Sequence, residues 1–218
     1  MREPPTGSQG ARVRETYDRA AGDYARHFLD ELRDKPLDRA LLEHFAAGVG
    51  GEGVVVDVGT GPGHVARFLR DRGVRAEGLD LSEGMVSEAR ARHPGVLFRV
   101  GSMLALDDQD DSWSGATYFY AIVHLAPEEL CQALRELRRV LRPGAPALLA
   151  FHVGEEVVTV TEFLGHAVSL DWRFFPRETV VALAREAGLA VELELRRKAY
   201  PTEHPSVRGY VLVRKATG

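Results

Sequence analysis

Three glycines at alternate positions, Gly59, Gly61 and Gly63, directly follow a short apolar run that is rich in β-branched residues. This run, Val54 to Val58, is typical of a strand that is buried on both faces of a sheet. Apolar residues at helical spacing resume after the glycines. Strand, glycine turn and helix form the opening of a nucleotide-binding βαβ unit, in which glycines allow positive φ and a close approach of the backbone to a ligand.

Two acidic residues stand at the carboxyl ends of predicted strands. Asp57 ends the first strand, and Asp80 ends a second strand that is predicted to begin near Val74. Open α/β sheets bind their ligands at this end of the strands, and an acid in the position of Asp80 can accept hydrogen bonds from both ribose hydroxyls of an adenosine. These features alone fit either a dinucleotide or S-adenosylmethionine (SAM).

The spacing of the glycines favours SAM over a dinucleotide. The dinucleotide fingerprint is G-x-G-x-x-G, and its third glycine allows close packing of helix and strand below a pyrophosphate. Here the glycines run G-x-G-x-G, and His64 occupies the sixth position. Because SAM has no pyrophosphate, it needs the turn but not that third contact.

The stretch from Asp57 to Gly63, with Asp80 after it, resembles motif I and the following acid of class I SAM-dependent methyltransferases. Further matching segments follow in the family's order at residues 101–103, 120–125 and 141–144. The resemblance runs from about Tyr17 to the C-terminus, and it is greatest to small bacterial enzymes that methylate low-molecular-weight acceptors. It implies in-line transfer of a methyl group from SAM to an oxygen, nitrogen or carbon atom of a small molecule, with S-adenosylhomocysteine (SAH) as the product.

The resemblance also implies a cofactor site. Its predicted residues are Tyr17, Tyr24, Asp57, Gly59, Thr60, Gly61, Gly63, Asp80, Leu81, Met85, Gly101, Ser102, Met103, Tyr120 and Ala121. Tyr17 or Tyr24 would bond the methionine carboxylate from a segment that closes over SAM. Ser102 stands where the family often has an aspartate that holds the adenine amino group, so a shorter, uncharged side chain would make this contact.

Candidate groups for catalysis and acceptor binding follow the later strands. The candidate general bases are His124, His152 and His204, because an unperturbed histidine titrates near neutrality. The predicted acceptor contacts are Tyr120, His124, His152, Trp172 and Phe174. Large aromatic faces suit an apolar, planar acceptor, although the same residues could equally fill the top of the core. A mechanism that relies on positioning alone is equally consistent with the sequence.

The order of the predicted elements indicates a Rossmann-like α/β fold. It has a seven-stranded, mostly parallel sheet with helices on both faces and an antiparallel C-terminal strand. Residues 1–10 are rich in Pro, Gly and Ser, a composition that predicts a disordered lead-in. Residues 11–218 are predicted to form a single methyltransferase domain. Within it, residues 11–50 are predicted to be N-terminal helices that act as a lid, with a first helix from Val13 to Leu32. The irregular pattern of residues 154–176 predicts an insertion that covers the acceptor.

Composition limits the partners that we expect. The formal net charge of −4 gives no general attraction to polyanions, so no nucleic-acid partner is expected. No apolar run is long enough to span a membrane, and the N-terminus lacks the apolar region of a signal peptide, which favours a cytoplasmic protein. We expect a monomer or a homodimer. The aspartate-rich loop at residues 104–114 lacks the glycine and glutamate of an EF-hand, so no metal is expected.

Three alternatives to a small-molecule methyltransferase stay open on the sequence. The acceptor could be a protein or an RNA, although the acidic net charge disfavours both. A SAM-binding fold could perform other chemistry, such as a cyclisation. A dehydrogenase is the third alternative, and His64 in the glycine turn disfavours it.

Overall fold

Helices and strands alternate along most of the chain in the computed structural model, which describes residues 9–50 and 52–217. In order, the elements are α1 (Gln9–Phe28), α2 (Pro36–Gly48), β1 (Val54–Val58), α3 (His64–Arg70), β2 (Ala76–Asp80), α4 (Glu83–Arg92), β3 (Leu97–Val100), β4 (Trp113–Phe119), α5 (Pro127–Val140), β5 (Pro146–Val153), β6 (Val157–Phe163), β7 (His166–Arg173), α6 (Arg177–Glu186), β8 (Leu189–Arg197) and β9 (Val207–Lys215). Short 3₁₀ turns occupy Glu31–Asp34 and Ala121–His124.

Seven of the strands form one sheet in the order β3-β2-β1-β4-β5-β9-β8. Strands β1 to β5 run parallel, whereas β9 is antiparallel to both of its neighbours. The predicted seven-stranded, mostly parallel sheet is therefore confirmed. The strand order reverses between β1 and β4, which lie side by side, and open α/β sheets bind their ligands in the crevice at such a point.

Apolar side chains cover both faces of this sheet. One core cluster joins β1 and β4 to α5 and α6, and it includes Trp113 and Leu137, which are both fully buried. A second cluster joins the opposite face to α2 and α3 through Leu42 and Leu69. Each large apolar side chain that is buried in this way contributes about 1.5–3 kcal/mol to folding. Among the described residues, no helix combines the length and apolar character needed to cross a membrane.

The N-terminal helix begins and ends earlier than the sequence pattern predicts. It spans Gln9–Phe28 rather than Val13 to Leu32. Leu32 continues the apolar periodicity because its side chain is buried, but it belongs to the following 3₁₀ turn. Gln9 and Gly10, which were expected in the disordered lead-in, are helical, and residues 1–8 of that lead-in lie outside the described residues.

The segment at residues 154–176 is more regular than predicted. Strands β6 and β7 pair as an antiparallel hairpin that is separate from the main sheet. Its turn, Leu164 and Gly165, has φ values of 51° and 81°. An alternating pattern marks a strand only when one face is buried, and most residues of β6 are exposed. The sequence of the hairpin therefore lacks the alternation that predicts a strand. Strand β7 nevertheless packs against α1 and the turn Ala121–His124.

Candidate active site

A cavity of about 700 Å³ lies at the carboxyl ends of β1 to β4 and beneath α1. Its volume falls within the range of ordinary ligand pockets, about 300–1,000 Å³. The predicted cofactor residues that line it are Tyr17, Tyr24, Gly59, Gly61, Asp80, Leu81, Met85, Gly101, Ser102, Met103, Tyr120 and Ala121. The structure therefore brings together side chains from five separate parts of the chain at one end of the sheet.

The glycine turn forms part of the cavity wall. Gly59 and Gly61 have φ values of 70° and 54°, in the left-handed region that favours glycine. A Cβ atom on Gly59 would lie 2.5 Å from the Cβ of Ala121, so a larger residue would close the space between β1 and β4. Gly63 serves a different purpose, because a Cβ there would lie 2.5 Å from Cζ of Phe98 and would disturb packing outside the cavity.

The predicted cofactor residues Asp57, Thr60 and Gly63 do not line the cavity. Asp57 is buried behind the wall, where its Oδ1 accepts a hydrogen bond of 2.6 Å from Oγ1 of Thr117. Burial raises the pKa of the Asp57 carboxyl. The side chain of Asp57 thus joins β1 to β4 and shapes the site from behind.

Asp80 projects its carboxylate into the cavity. The backbone N–H of Gly61 donates to Oδ2 at 2.8 Å, and that of Ser82 donates to Oδ1 at 2.9 Å. Burial raises the pKa of Asp80 to about 6, and the backbone N–H groups of Ser82, Gly61 and Leu81 oppose that rise by stabilising the charged form. An ionised carboxylate has about four acceptor positions, so each oxygen keeps one for a ligand.

His124 connects three separate elements at the cavity. Its Nδ1 lies 3.2 Å from the backbone oxygen of Asp171 in β7, and its Nε2 lies 2.9 Å from the Tyr17 hydroxyl. Because a carbonyl only accepts, Nδ1 carries the ring proton, and Tyr17 donates to Nε2. Gln9 Nε2 also donates to the His124 carbonyl at 2.6 Å. Burial lowers the pKa of His124 to about 4, so the ring is neutral at physiological pH.

The other two candidate bases lie outside the cavity. His152 stacks on Phe174 with ring centroids 5.0 Å apart, and its Nδ1 lies 2.7 Å from Oγ of Ser206. His204 packs edge-on against the rings of His152 and Phe174. Burial lowers the pKa of His152 to about 3. Of the three histidines that the sequence suggested, His124 alone lines the cavity.

Trp172 also lies outside the cavity. Its ring meets that of Phe163 edge-on at 5.7 Å, and Phe163 in turn contacts the rings of Tyr17 and Tyr24. The hairpin therefore presses an aromatic layer onto the outer side of α1. Trp172 and Phe174, which are predicted to contact the acceptor, are not among the residues that line this cavity.

Several residues that line the cavity were not anticipated from the sequence. They are Gln9, Gly10, Val13, Arg14, Leu79, Val100, Leu104, Ala105, Asp107, Phe119, Leu125, Glu129 and Gln132. The polar composition around Gln9 concealed the start of α1. The position of Glu129 could have been predicted, because Pro127 marks the first turn of a helix that follows β4 and Glu129 lies in that turn. Its Oε2 accepts the backbone N–H of Ala126 at 2.7 Å, which caps that helix.

Asp18 anchors α1 beside the cavity. Its Oδ1 accepts hydrogen bonds from Oγ of Ser82 at 2.6 Å and from the backbone N–H of Gly84 at 2.9 Å. Both donors belong to the start of α4, where a carboxylate is also favoured by the helix dipole. Ser82 is the N-cap of α4, and its Oγ accepts a hydrogen bond of 3.1 Å from the backbone N–H of Met85.

The aspartate-rich loop is held to the rest of the protein by arginine and lysine side chains. Asp108 accepts from Arg99 at 2.8 Å and from Nε1 of Trp113 at 2.9 Å. Asp110 pairs with Arg139 at 2.8 Å, and Asp111 pairs with Lys215 at 2.5 Å. Within residues 9–50 and 52–217, no group of three or more His, Cys, Asp or Glu side chains could hold a metal ion. The loop thus fastens β3, β4 and α5 to one another.

Known proteins share both this sequence pattern and this fold. Residues 55–144 match the methyltransferase domain family. The malonyl-[acyl-carrier protein] O-methyltransferase of Enterobacter lignolyticus (strain SCF1) is 33% identical over 152 residues, which cover 68% of this chain and 55% of that protein. A SAM-dependent methyltransferase structure from Methanosarcina mazei has a TM-score of 0.71 at 16% identity, over 79% of this chain and 96% of the other. The structure of the [4+2]-cyclase SpnF has a TM-score of 0.71 at 17% identity, over 99% of this chain and 98% of the other.

The matched segment at residues 55–144 and the curated methyltransferase relatives support a class I SAM-dependent methyltransferase domain in this part of the chain. The chain spans about half the length of the curated relatives it matches first. At their low sequence identity, the two solved structures show the shared fold alone.

Proposed function

We propose that this chain transfers the methyl group of SAM to a small-molecule acceptor. The observation that carries the proposal is Asp80, whose carboxylate faces the cavity with both oxygens oriented by backbone N–H groups. The remaining acceptor positions suit two neighbouring hydroxyls, as on a ribose. The Gly59 turn supports the same conclusion, because any Cβ there would fill the space beside Ala121.

Other residues of the cavity fit the rest of a SAM molecule. Leu81, Met85 and Met103 offer apolar surface to an adenine, and Ser102 offers a hydroxyl. The Tyr17 hydroxyl donates its proton to His124, so Tyr24 is the better donor to a methionine carboxylate. Burial raises the pKa of Tyr24, which keeps its hydroxyl protonated and able to donate.

Once bound, SAM would supply a methyl group that its sulfonium already activates. The residues of this chain would orient the acceptor and exclude water, and effective molarities of about 10⁵–10⁸ M make such positioning a large effect. His124 is a poor general base with α1 closed, because both ring nitrogens are hydrogen-bonded and its pKa is about 4. We therefore favour positioning over base catalysis.

A small acceptor agrees with the size of the cavity and with a second relative, a demethylmenaquinone methyltransferase that is 32% identical over 117 residues. The arginines of α5 do not favour an RNA acceptor. Arg135 pairs with Glu186 at 2.9 Å, and Arg139 pairs with Glu136 at 2.8 Å. Their charges are therefore used within the protein rather than presented to a polyanion.

Calorimetric titration with SAH, with NAD as the control, tests the proposal directly. We expect SAH to bind with a dissociation constant on the order of micromolar, and NAD not to bind. Binding of NAD without SAH would overturn the proposal. An acceptor screen with methyl-labelled SAM then tests transfer. If SAH binds but no acceptor in a broad screen takes up label, the cyclisation chemistry of the SpnF fold neighbour becomes the better explanation.

A further inference from the structure

A network of buried charges lies directly behind one wall of the cavity. Asp38, in the first turn of α2, is fully buried, and the side chains of Arg197 and Glu203 are 8% and 4% exposed. Arg197 Nη2 donates to Oδ2 of Asp38 at 2.8 Å. Its Nη1 donates to Oε2 of Glu203 at 2.5 Å. The guanidinium therefore holds both carboxylates in fixed positions.

Asp38 reaches the cavity through a tyrosine. The Tyr120 hydroxyl donates to Oδ1 of Asp38 at 3.0 Å, and the ring of Tyr120 lines the cavity. Tyr210 donates to the same oxygen at 3.0 Å, and Tyr210 in turn accepts from Nε of Arg197 at 2.8 Å. Every polar group around the Tyr120 hydroxyl is thus oriented by another member of the network.

The backbone of Tyr120 is strained. Its φ of 58° and ψ of 22° fall in the left-handed region, which disfavours any residue with a Cβ. The backbone N–H donates to the Ala150 carbonyl at 2.8 Å, and the side chain is held by Asp38. Strained residues persist when their surroundings over-determine them, and they concentrate at functional sites.

The network also extends toward the glycine turn. Lys35 Nζ lies 3.4 Å from Glu203 and 2.5 Å from Glu31. Glu31 is 2.9 Å from Nε2 of His64, the residue that follows the glycines. A continuous series of ion pairs and polar contacts therefore links the residue after β4 with the start of α3.

Such a network is difficult to explain by stability alone. Buried charges lose their hydration, and replacing a buried ion pair by apolar residues is often neutral or stabilising. We infer that Asp38, held by Arg197, is a positioning residue that fixes the Tyr120 ring at the cavity wall and so sets the affinity for S-adenosyl ligands. This inference rests on the proposed function, since it assumes that such a ligand occupies the cavity.

Two variants of the pair test the inference. Tyr120→Phe keeps the ring but removes the hydroxyl, and Asp38→Asn keeps the shape of the carboxylate but removes its charge. We expect each variant to bind SAH about three- to tenfold more weakly, the effect of about one lost hydrogen bond. Tyr120→Phe loses the hydroxyl, whereas Asp38→Asn has one acceptor oxygen left for the tyrosines and Arg197 together, so the anchor of the Tyr120 ring is weakened. The double variant should be no weaker than the worse single one, because both changes act on the ligand through the position of the Tyr120 ring.

Tyr118→Phe is the matched control, in β4 and two residues before Tyr120. Its hydroxyl is buried and has no partner among the described residues, so its removal should leave SAH affinity unchanged. Hydrogen exchange without ligand provides a second measurement. The backbone amides of Ala121–His124 should exchange faster in Tyr120→Phe and Asp38→Asn, but not in Tyr118→Phe. If Asp38→Asn fails to fold, Tyr120→Phe decides by both measurements.

The outcomes separate this inference from the proposed function. If the wild type binds SAH and the two variants bind equally well, the positioning role is wrong and the proposed function stands. Additive losses in the double variant would also overturn it, because independent effects indicate two unrelated contacts. If the wild type does not bind SAH, the proposed function and this inference both fall.

Discussion

The hydroxyl of Tyr17 and Nε2 of His124 meet at 2.9 Å, and the direction of this hydrogen bond is fixed by a third group. The Asp171 carbonyl can accept only from Nδ1–H of the same ring, so Nε2 must be the acceptor. Helix α1, the turn after β4 and the hairpin therefore share one chain of hydrogen bonds. A change in any of these elements alters the protonation and access of His124.

Tyr17→Phe should loosen α1 over the cavity. The change removes one hydrogen bond and leaves Nε2 of His124 without its partner, at a cost of about 1–3 kcal/mol. We expect amide exchange in α1 to accelerate by about tenfold when measured by mass spectrometry, with the peptides of α5 as the internal reference. Unchanged exchange in α1 would mean that Asp18 and packing against the hairpin hold the helix without this bond.

Binding of SAH should weaken as the pH falls through about 6, the value to which burial raises the pKa of Asp80. Both carboxylate oxygens accept backbone N–H groups, so a proton on either one displaces a donor or a ribose hydroxyl. The loss should approach tenfold per pH unit below that value. Calorimetry between about pH 8 and about pH 5 measures it without protonating His124.

Asp80→Asn is the control for that titration. It should bind SAH weakly at every pH, and its affinity should not follow the wild-type curve. A wild-type profile that stays flat down to about pH 5 would contradict the role of Asp80 in ligand binding.

Gly63→Ala should destabilise the protein more than Gly73→Ala does. Both glycines have positive φ, 85° and 81°, so both changes carry the same backbone cost of about 1–2 kcal/mol. Only at Gly63 does the new Cβ collide with Phe98, whereas nothing lies within 4 Å of a Cβ at Gly73. Overpacking adds about 1–3 kcal/mol. Urea unfolding of the two variants isolates the packing term, and equal losses would show that the Phe98 ring moves aside freely.

Tyr118→Phe should raise the thermal stability. The Tyr118 hydroxyl is buried in β4 and has no hydrogen-bond partner within residues 9–50 and 52–217. An unpaired buried polar group costs about 1–3 kcal/mol, and its removal leaves the apolar ring in place. An increase of about 2–4 °C in the melting temperature is expected for each kcal/mol recovered in a protein of this size. A lower melting temperature would reveal a partner for that hydroxyl.

The sequence predicted the features that depend on short, local patterns. The β-branched run before Gly59, the apolar spacing after Gly63 and the acid at Asp80 each identify an element without knowledge of the rest of the chain. Together they are sufficient to predict the class of sheet and the end of the sheet at which the cavity lies. Most of the predicted cofactor residues line that cavity because they are adjacent in sequence to those strand ends.

The features that escaped prediction arise from contacts between distant segments. His152 and His124 both follow strand ends in the sequence, but the stack with Phe174 takes His152 out of the cavity. Asp38 and Arg197 are separated by 159 residues and appear in the sequence as ordinary surface charges. No local pattern reports such pairs, since each residue's environment is decided by the fold as a whole.

The anchoring of α1 by Asp18 also bears on the kinetics of ligand release. On the proposed function, product would lie beneath this helix, and breaking the contacts to Ser82 and Gly84 would widen its way out. We therefore expect weaker contacts at Asp18 to shorten the residence time of product, and to speed turnover wherever product release is slower than methyl transfer.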